Sequence, residues 1–205
     1  AVRSDDGGAT FGAHEVIARL ASFRRRADPN LLRVFPLPAA TVDGGGTVYV
    51  AWSDCRFRRR CRANDIVLAH STAGGWSAPR RVPVTDAGTN ANHVIPGVAA
   101  DPGTSGVHAR LALTFYTLRA AGCPPARCRL DVRLATSSSG GVSWTVRRLD
   151  AVAMRLAWLP RTNSGRMVGD YVATAYAAGH AVGVFALAIR PRGDRLDEAI
   201  HAVVR

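Results

Sequence analysis

A repeat of nearly constant length is the feature that most constrains how this chain can fold. Ser4, Ser71 and Ser137 each begin a copy of the same short turn motif, and successive serines lie 67 and 66 residues apart. The second and third copies follow matching strand-like segments, residues 65–71 and 131–137, in which an aspartate precedes the serine by six positions. Units that repeat at such a length bury their apolar faces against their neighbours. The repeat therefore predicts a radial or stacked array of similar units.

Within one unit, the residue types predict short β-strands joined by tight turns. Residues 47–52 are rich in β-branched and aromatic side chains, and residues 65–69 form a second run of this kind. A glycine-rich segment at residues 43–46 precedes them and is typical of a turn. Strands that repeat in sequence favour a β-propeller over a sandwich, whose strands would not recur in this way.

Helical patterning is limited to two short candidates, residues 15–22 and 197–204, so the expected fold class is all-β. We expect propeller blades over residues 1–190 and a C-terminal tail at residues 191–205. The apolar runs are of strand length and much shorter than the roughly 20 residues that a membrane-spanning helix requires. The sequence therefore predicts no transmembrane segment, and it leaves the oligomeric state open.

The net charge of +12 raises the question of a nucleic-acid partner. All 27 basic residues are arginines, in a chain that is rich in alanine, glycine and valine, which is typical of a GC-rich genome. The densest run is Arg58, Arg59, Arg60 and Arg62, and Phe57 is the one aromatic residue among them. This pattern favours a solvated loop over a nucleic-acid interface, so we expect no nucleic-acid partner. Binding of polyanions through arginines alone stays as a third hypothesis.

The four cysteines fall into two local pairs, Cys55 with Cys61 and Cys123 with Cys128. Neither pair has the two-residue spacing of a zinc knuckle, and no histidine lies near them at ligand spacing. Each pair can instead close a short loop as a disulfide, which requires an oxidising compartment. The cysteines therefore predict a secreted or cell-surface protein without a metal site.

The first turn copy matches a known motif at every defining position. Ser4, Asp6, Gly8, Thr10 and Phe11 fit the Asp-box pattern Ser/Thr-x-Asp-x-Gly-x-Thr-Trp/Phe. In such a turn the aspartate accepts backbone N–H groups, the glycine adopts a positive φ, and the aromatic residue packs beneath the turn. The chain thus resembles the Asp-box (BNR-repeat) β-propellers, among them the bacterial secreted sialidases. The motif itself marks the fold, so Asp6 is expected to have no catalytic role.

The other two copies of the turn depart from the motif at the aspartate. In the third copy Ser139 replaces it, and in the second copy Ala73 occupies its place and the turn is one residue short. The remaining motif positions of these copies are Ser71, Gly75, Trp76, Ser137, Gly141 and Trp144. We interpret them as structural positions of two eroded boxes.

Further segments resemble the secreted sialidases. Residues 32–36 resemble the Phe-Arg-Ile-Pro motif that supplies a carboxylate-binding arginine, with the residues in a different order. Residues 48–56 resemble the sialidase strand that carries an acidic residue and an arginine two positions apart. Residues 166–171 and 181–188 resemble the closing blade. The resemblance covers most of the chain and implies a six-bladed sialidase-type propeller.

The chemistry implied by this resemblance has three parts. Arginines hold the sugar carboxylate bidentately, a tyrosine attacks the anomeric carbon while a nearby carboxylate takes its proton, and an aspartic acid serves as general acid and base. The resemblance implies a partner glycan that carries terminal sialic acid or a related acidic sugar, and no cofactor. The matching positions are Tyr171, Asp170 and Asp54 for catalysis and Arg33, Arg56 and Arg166 for substrate binding.

Two features depart from the sialidase pattern. Glu15 and Glu198 are the only glutamates, and neither stands where the family has the glutamate that pairs with the tyrosine. Three boxes and a closing segment predict about four blades, so the resemblance implies that this sequence is a C-terminal portion of a longer propeller. The missing glutamate favours an alternative function, a non-catalytic Asp-box propeller that binds glycans or proteins at the cell surface, whereas the Ser-Asp-Cys-Arg segment at residues 53–56 favours the sialidase.

Several candidates also have a structural interpretation. Asp54 could cap the cysteine loop, and Tyr171 could be a core tyrosine at the start of a strand. Asp65 and Asp131 occupy equivalent repeat positions, which favours a structural role because a catalytic residue normally occurs once. The candidate arginines could be ordinary residues at strand ends.

Overall fold

The computed structural model describes residues 1–23 and 31–205, and this part of the chain contains β-strands and short 3-10 turns but no α-helix. The all-β prediction is thus confirmed. The central strands Val48–Asp54, Asn92–Ala100 and Leu111–Leu118 are rich in valine, leucine, alanine and threonine and are buried on both faces, as expected for strands packed between other sheets. The strands are β1 Ala39–Val42, β2 Val48–Asp54, β3 Asp65–Thr72, β4 Gly75–Trp76, β5 Arg80–Arg81, β6 Asn92–Ala100, β7 Leu111–Leu118, β8 Arg129–Ser137, β9 Thr145–Arg148, β10 Met154–Arg155, β11 Arg161–Thr162, β12 Gly165–Arg166, β13 Ala173–Ala177, β14 His180–Ala188 and β15 Glu198–Val204.

The first and second sheets are antiparallel meanders built in the same way. In the first sheet the strands lie in the order β1-β2-β3-β4, with β5 also paired to β3. In the second, β6 pairs with β7 and β7 with β8, and β9 and β10 both pair with β8. The register shifts between Val94 and Gly97, where Ile95 has a φ of +55°. Such a β-bulge bends β6 and strengthens its twist.

The third sheet has the order β13-β14-β15, and β11 and β12 form a separate hairpin. The strand β15 pairs with β14 from Val204 opposite Val182 to Glu198 opposite Ala188. Residues 191–205, expected as a tail, therefore include an edge strand. The helical interpretation of residues 197–204 is wrong because the backbone bonds of this segment go to β14, and residues 15–22 have no regular secondary structure.

The three sheets pack face to face in chain order. The strand β6 contacts β1, β2 and β3 on one side and β13 on the other, so it lies between the first and third sheets. One core, around Ile66, Leu111 and Phe115, joins the first two sheets. Another, around Tyr116 and Phe185, joins the second and third sheets. None of the sheets closes on itself, so the structure establishes stacked antiparallel sheets and leaves the closed propeller as a proposal.

The outer face of the first sheet is covered by the N-terminal segment. Ile17 and Ala18 pack against the cluster formed by Trp52 and Val67. The backbone N–H of Cys55 donates to the carbonyl of Ala21 at 2.6 Å, which attaches the segment to the end of β2. This irregular segment therefore takes the place of a neighbouring sheet on this face.

Both predicted cysteine pairs form disulfides, Cys55 with Cys61 and Cys123 with Cys128. The first closes the β2–β3 connection and the second the β7–β8 connection, so the two loops lie at the same end of equivalent hairpins. Neither of the described ranges contains a helix with the length and apolar character needed to cross a membrane.

Candidate functional site

The turn at Ser4 is held by its own side chains. The Ser4 Oγ accepts a hydrogen bond from the Gly8 N–H at 2.7 Å, and the Asp6 carboxylate accepts one from the Thr10 N–H at 2.9 Å and one from the Thr10 hydroxyl at 2.5 Å. These bonds, those from Thr10 first, hold the pKa of Asp6 well below its ordinary value. Phe11 is 64% exposed, so it does not pack beneath this turn. The carboxylate of Asp6 is fully engaged in the turn, as expected of a fold marker.

The turn at Ser137 reproduces these contacts with a serine in place of the aspartate. The Gly141 N–H donates to the Ser137 Oγ at 3.0 Å, and the Ser143 N–H donates to the Ser139 Oγ at 2.9 Å. The Trp144 indole donates to the carbonyl of Gly141 at 2.9 Å, which ties the aromatic residue to the turn. The hydroxyl of Ser139 therefore performs locally what the Asp6 carboxylate does in the first turn.

The turn at Ser71 is built differently. Ser71 lies opposite Trp76 and Thr72 opposite Gly75, so a tight two-residue connection joins β3 and β4. The Ser71 hydroxyl accepts a hydrogen bond from the N–H of Val48 at 2.9 Å and makes no bond within its own turn. The missing residue of this copy has converted a box-type turn into an ordinary hairpin.

Candidate residues from both ends of the chain meet at one corner of the molecule. Leu32 forms an isolated bridge with Arg166, and the N–H of Arg33 donates to the carbonyl of Arg166 at 2.8 Å. The Arg33 guanidinium also forms an ion pair with Asp170, 137 positions later in the chain. Tyr171 follows with 74% of its surface exposed, so it is not a core tyrosine. We call Arg33, Asp170 and Tyr171 the Tyr171 corner.

Arg166 lies at this corner, but its guanidinium is turned towards the protein. It donates to the carbonyls of Ala157 at 3.2 Å and Leu159 at 2.6 Å. Burial lowers the pKa of Arg166, and the nearby charge of Arg161 lowers it further. These bonds give Arg166 a structural task, namely to hold the turn before β11.

Asp54 and Arg56 are bound to each other, and Asp54 is buried whereas Arg56 reaches the surface. The Asp54 carboxylate is fully buried and accepts bonds from the Arg56 guanidinium at 2.7 and 2.9 Å and from the Trp52 indole at 2.9 Å. Burial by itself would raise the pKa of Asp54, but the bonds from Arg56 and Trp52 outweigh it and leave the pKa lowered. The Arg56 guanidinium also donates to the carbonyl of Arg19 at 2.5 Å. The pair joins the N-terminal segment to β2, as a cap of the cysteine loop would.

A buried ion pair that the sequence reasoning missed lies close to this loop. Arg58 donates to Asp65 through Nε at 2.8 Å and Nη2 at 2.6 Å, and both side chains are fully buried. A further nitrogen of Arg58 donates to the carbonyls of Asp86, Ala87 and Thr89 at 2.9 to 3.1 Å. The expectation of a solvated arginine run is therefore wrong for Arg58. The sequence did contain a signal for this burial, namely an acidic partner, Asp65, at the start of the next strand, seven positions after Arg58.

Asp131 occupies the same place in the second sheet and is also surrounded by arginines. Arg119 donates to it at 2.8 and 3.1 Å, and Arg148 lies at 3.3 Å. The side chain of Asp131 is 1% exposed. Equivalent positions with equivalent partners support a structural role for Asp65 and Asp131, because each anchors the start of the third strand of its sheet.

His93 is enclosed between these elements. Its ring nitrogens lie 3.0 Å from the hydroxyls of Thr85 and Thr117, and burial, with smaller contributions from Arg58 and other arginines, lowers its pKa to about 3. A neutral histidine bound on both nitrogens is part of the core rather than a ligand. In the described parts of the chain, no group of three or more His, Cys, Asp or Glu side chains is placed to hold a metal ion.

Comparison of the sequence with protein-family models and with curated proteins gives no match. Of the predicted site residues, Arg33, Asp170 and Tyr171 lie together and reach the surface, and Arg166 is beside them but internally bonded. Asp54 is buried and forms a separate ion pair with the exposed Arg56.

Proposed function

We propose that this chain forms blades of a secreted sialidase-type β-propeller, and that its Tyr171 corner acts on the terminal acidic sugars of glycoconjugates. One observation carries the proposal: Arg33 and Asp170–Tyr171 come from two separate segments of the sialidase resemblance, and they meet although 137 positions separate Arg33 from Asp170. Three meander sheets stacked in chain order support the propeller architecture. The two disulfides support an extracellular location.

In the proposed reaction, the guanidinium of Arg33 binds the carboxylate of the sugar, because a planar fork of N–H donors matches a carboxylate. The exposed hydroxyl of Tyr171 attacks the anomeric carbon, and the neighbouring carboxylate of Asp170 takes its proton. The bond to the leaving oxygen breaks, and that oxygen takes a proton from solvent water. A second water then attacks the anomeric carbon and releases the sugar, while the tyrosine oxygen regains its proton from Asp170. Asp54 is buried and fully bonded, so it does not serve as the general acid that protonates the leaving alcohol.

The second candidate is binding of acidic glycans without hydrolysis, and a specific observation favours it. The predicted acid Asp54 is closed off, and the two glutamates lie elsewhere: Glu15 accepts a bond from the Trp76 indole at 3.1 Å, and Glu198 lies at the start of β15. The corner then keeps its arginine and its exposed aromatic ring, which suffice for recognition, but lacks a complete acid–base pair.

A fluorogenic sialoside separates the two candidates. We expect release of the fluorophore by the unaltered protein and its loss in Tyr171→Phe, which removes one oxygen atom. The matched control is Tyr49→Phe, which removes the same atom from a tyrosine in the first sheet that bonds to Asp43 at 3.2 Å; it should hydrolyse the sialoside at the original rate.

Titration of the same sialoside by calorimetry completes the experiment. Binding without release, weakened in Arg33→Met and unchanged in Tyr171→Phe, would establish the non-catalytic alternative. If the protein neither binds nor hydrolyses the sialoside, the assignment of the Tyr171 corner to acidic sugars is wrong.

A further inference from the structure

A cavity of about 430 Å³ lies between the second and third sheets, near the opposite end of β13 from the Tyr171 corner. One wall is the β8–β9 hairpin that contains the turn at Ser137, and the other wall is the β13–β14 hairpin with Tyr176 and Ala181. Tyr176 and Tyr171 are five positions apart, on and just before β13, so the two places lie roughly 15 Å from each other along an extended chain. The volume is within the range of about 300 to 1,000 Å³ that is usual for small-molecule sites.

The charge of this cavity is positive and largely uncompensated. Arg110, Arg147 and Arg205 line it, and no acidic side chain does. Arg110 forms an ion pair with Asp101 at 3.0 Å, whereas Arg147 and Arg205 form no ion pair with an acidic group of the described residues. Guanidinium groups without a protein counter-ion favour an anionic occupant.

The remaining walls carry aromatic rings and hydroxyls. The Arg110 guanidinium lies 5.5 Å from the ring centre of Tyr176, which holds both groups at the cavity edge. Trp144 is fixed by its bond to Gly141, so its ring is a rigid part of the wall. The hydroxyls of Thr136, Ser138 and Thr145 line the cavity and make no hydrogen bond within the described residues.

We propose that this cavity binds one anionic saccharide unit, with its sulfate or carboxylate group at Arg147 and its ring against Tyr176. The unpaired Arg147 accounts for the anionic group, the aromatic rings for the face of the sugar, and the unengaged hydroxyls for its hydroxyl groups. The site is separate from the Tyr171 corner and does not depend on the proposed hydrolysis. A glycan that is bound in this cavity leaves the Tyr171 corner, at the opposite end of β13, unoccupied.

Calorimetry with a sulfated disaccharide, its unsulfated counterpart and inorganic sulfate tests the proposal. We expect the sulfated disaccharide to bind more tightly than the other two and to bind less tightly as salt is added. Arg147→Ser should weaken its binding by about tenfold or more, as expected when a charged hydrogen-bonding partner is lost. Tyr176→Leu should weaken it as well.

The matched control is Arg190→Ser, which also removes an exposed arginine but lies beyond the far end of β14. It should bind the sulfated disaccharide with unchanged affinity. An equal loss in Arg147→Ser and Arg190→Ser would show attraction by overall charge alone and overturn the site. Equal affinity for inorganic sulfate and the disaccharide would leave only an anion site, and absence of binding would refute the proposal altogether. None of these outcomes depends on Tyr171, so they are distinguishable from the sialoside results.

Discussion

Restoring the aspartate of the third turn should stabilise the protein. The turn at Ser137 already has the geometry of the intact one: Gly140 and Gly141 have φ values of +60° and +87°, compared with +72° and +96° at the equivalent glycines of the first turn. In Ser139→Asp, the carboxylate would accept the bond from the Ser143 N–H that the hydroxyl accepts now at 2.9 Å, and it would also accept one from the Ser143 hydroxyl, which lies 2.8 Å from the Ser139 hydroxyl. The substitution therefore requires no change in the backbone.

The magnitude follows from the kind of hydrogen bond. A neutral hydrogen bond contributes about 0.5 to 1.5 kcal/mol and one to a charged group about 1.5 to 3 kcal/mol, so the gain in unfolding free energy should be about 1 kcal/mol at this partly exposed position. For a chain of this length that gain corresponds to a Tm increase of about 2 to 4 °C.

Thermal unfolding of Ser139→Asp and Ser138→Asp, which introduces the same charge one position earlier on an exposed residue, measures the effect. We expect Ser138→Asp to leave Tm nearly unchanged. The carboxylate of Asp6 has a lowered pKa, and we expect the same of the carboxylate introduced by Ser139→Asp. The gain in stability should therefore be present above the unfolded-state pKa of about 4 and should disappear as the pH falls through the lower folded-state pKa. The reasoning is refuted if both variants shift Tm equally, or if the gain persists in strong acid.

Two further predictions concern buried groups. Arg58→Met should lower the unfolding free energy by about 3 to 5 kcal/mol, because it leaves the buried Asp65 without its main partner. The control Arg59→Met should have little effect. Urea denaturation tests this, and similar midpoints for the two variants would contradict it. Folding favours the neutral form of His93, because its folded-state pKa is lowered to about 3. The full contribution of this group to the unfolding free energy is therefore present above about pH 6.5. It decreases as the pH falls below that value, by about 2 kcal/mol at pH 5. In urea denaturation His93→Phe should lose this pH dependence and the exposed-site variant His108→Gln should keep it; the same slope in both would exclude His93 as the cause.

The sequence predicted those parts of the fold that depend on residues close together along the chain. Strand patterning predicted the all-β class, and short cysteine spacings predicted both disulfides. The interpretation of residues 197–204 failed because their conformation is set by pairing with β14, which local pattern does not encode. The repeat predicted a radial or stacked array, and the structure shows stacked sheets, while closure into a propeller stays a prediction.

For the candidate site, too, the sequence predicted some residues as neighbours but could not predict contacts with distant segments. The sequence placed Arg33, Asp170 and Tyr171 in the site by resemblance, yet it could not show that Arg166 is turned inward or that Asp54 is closed off. These outcomes depend on carbonyl groups and charges contributed by distant segments. The burial of Arg58 was missed for a related reason, since a run of arginines indicates solvent exposure unless an acidic partner lies within reach.

The glycine in the bulged strand β6 has a consequence for any site built on the third sheet. A Cβ atom on Gly97 would stand 2.5 Å from the carbonyl oxygen of Val172, and the hydroxyl of Thr174 already bridges the carbonyl of Gly97 at 2.9 Å and the N–H of Thr114 at 3.1 Å. The two backbones therefore touch at Val172, the residue that follows Tyr171. The distance between these sheets, and with it the position of Tyr171, is set by the absence of one methyl group in a different sheet.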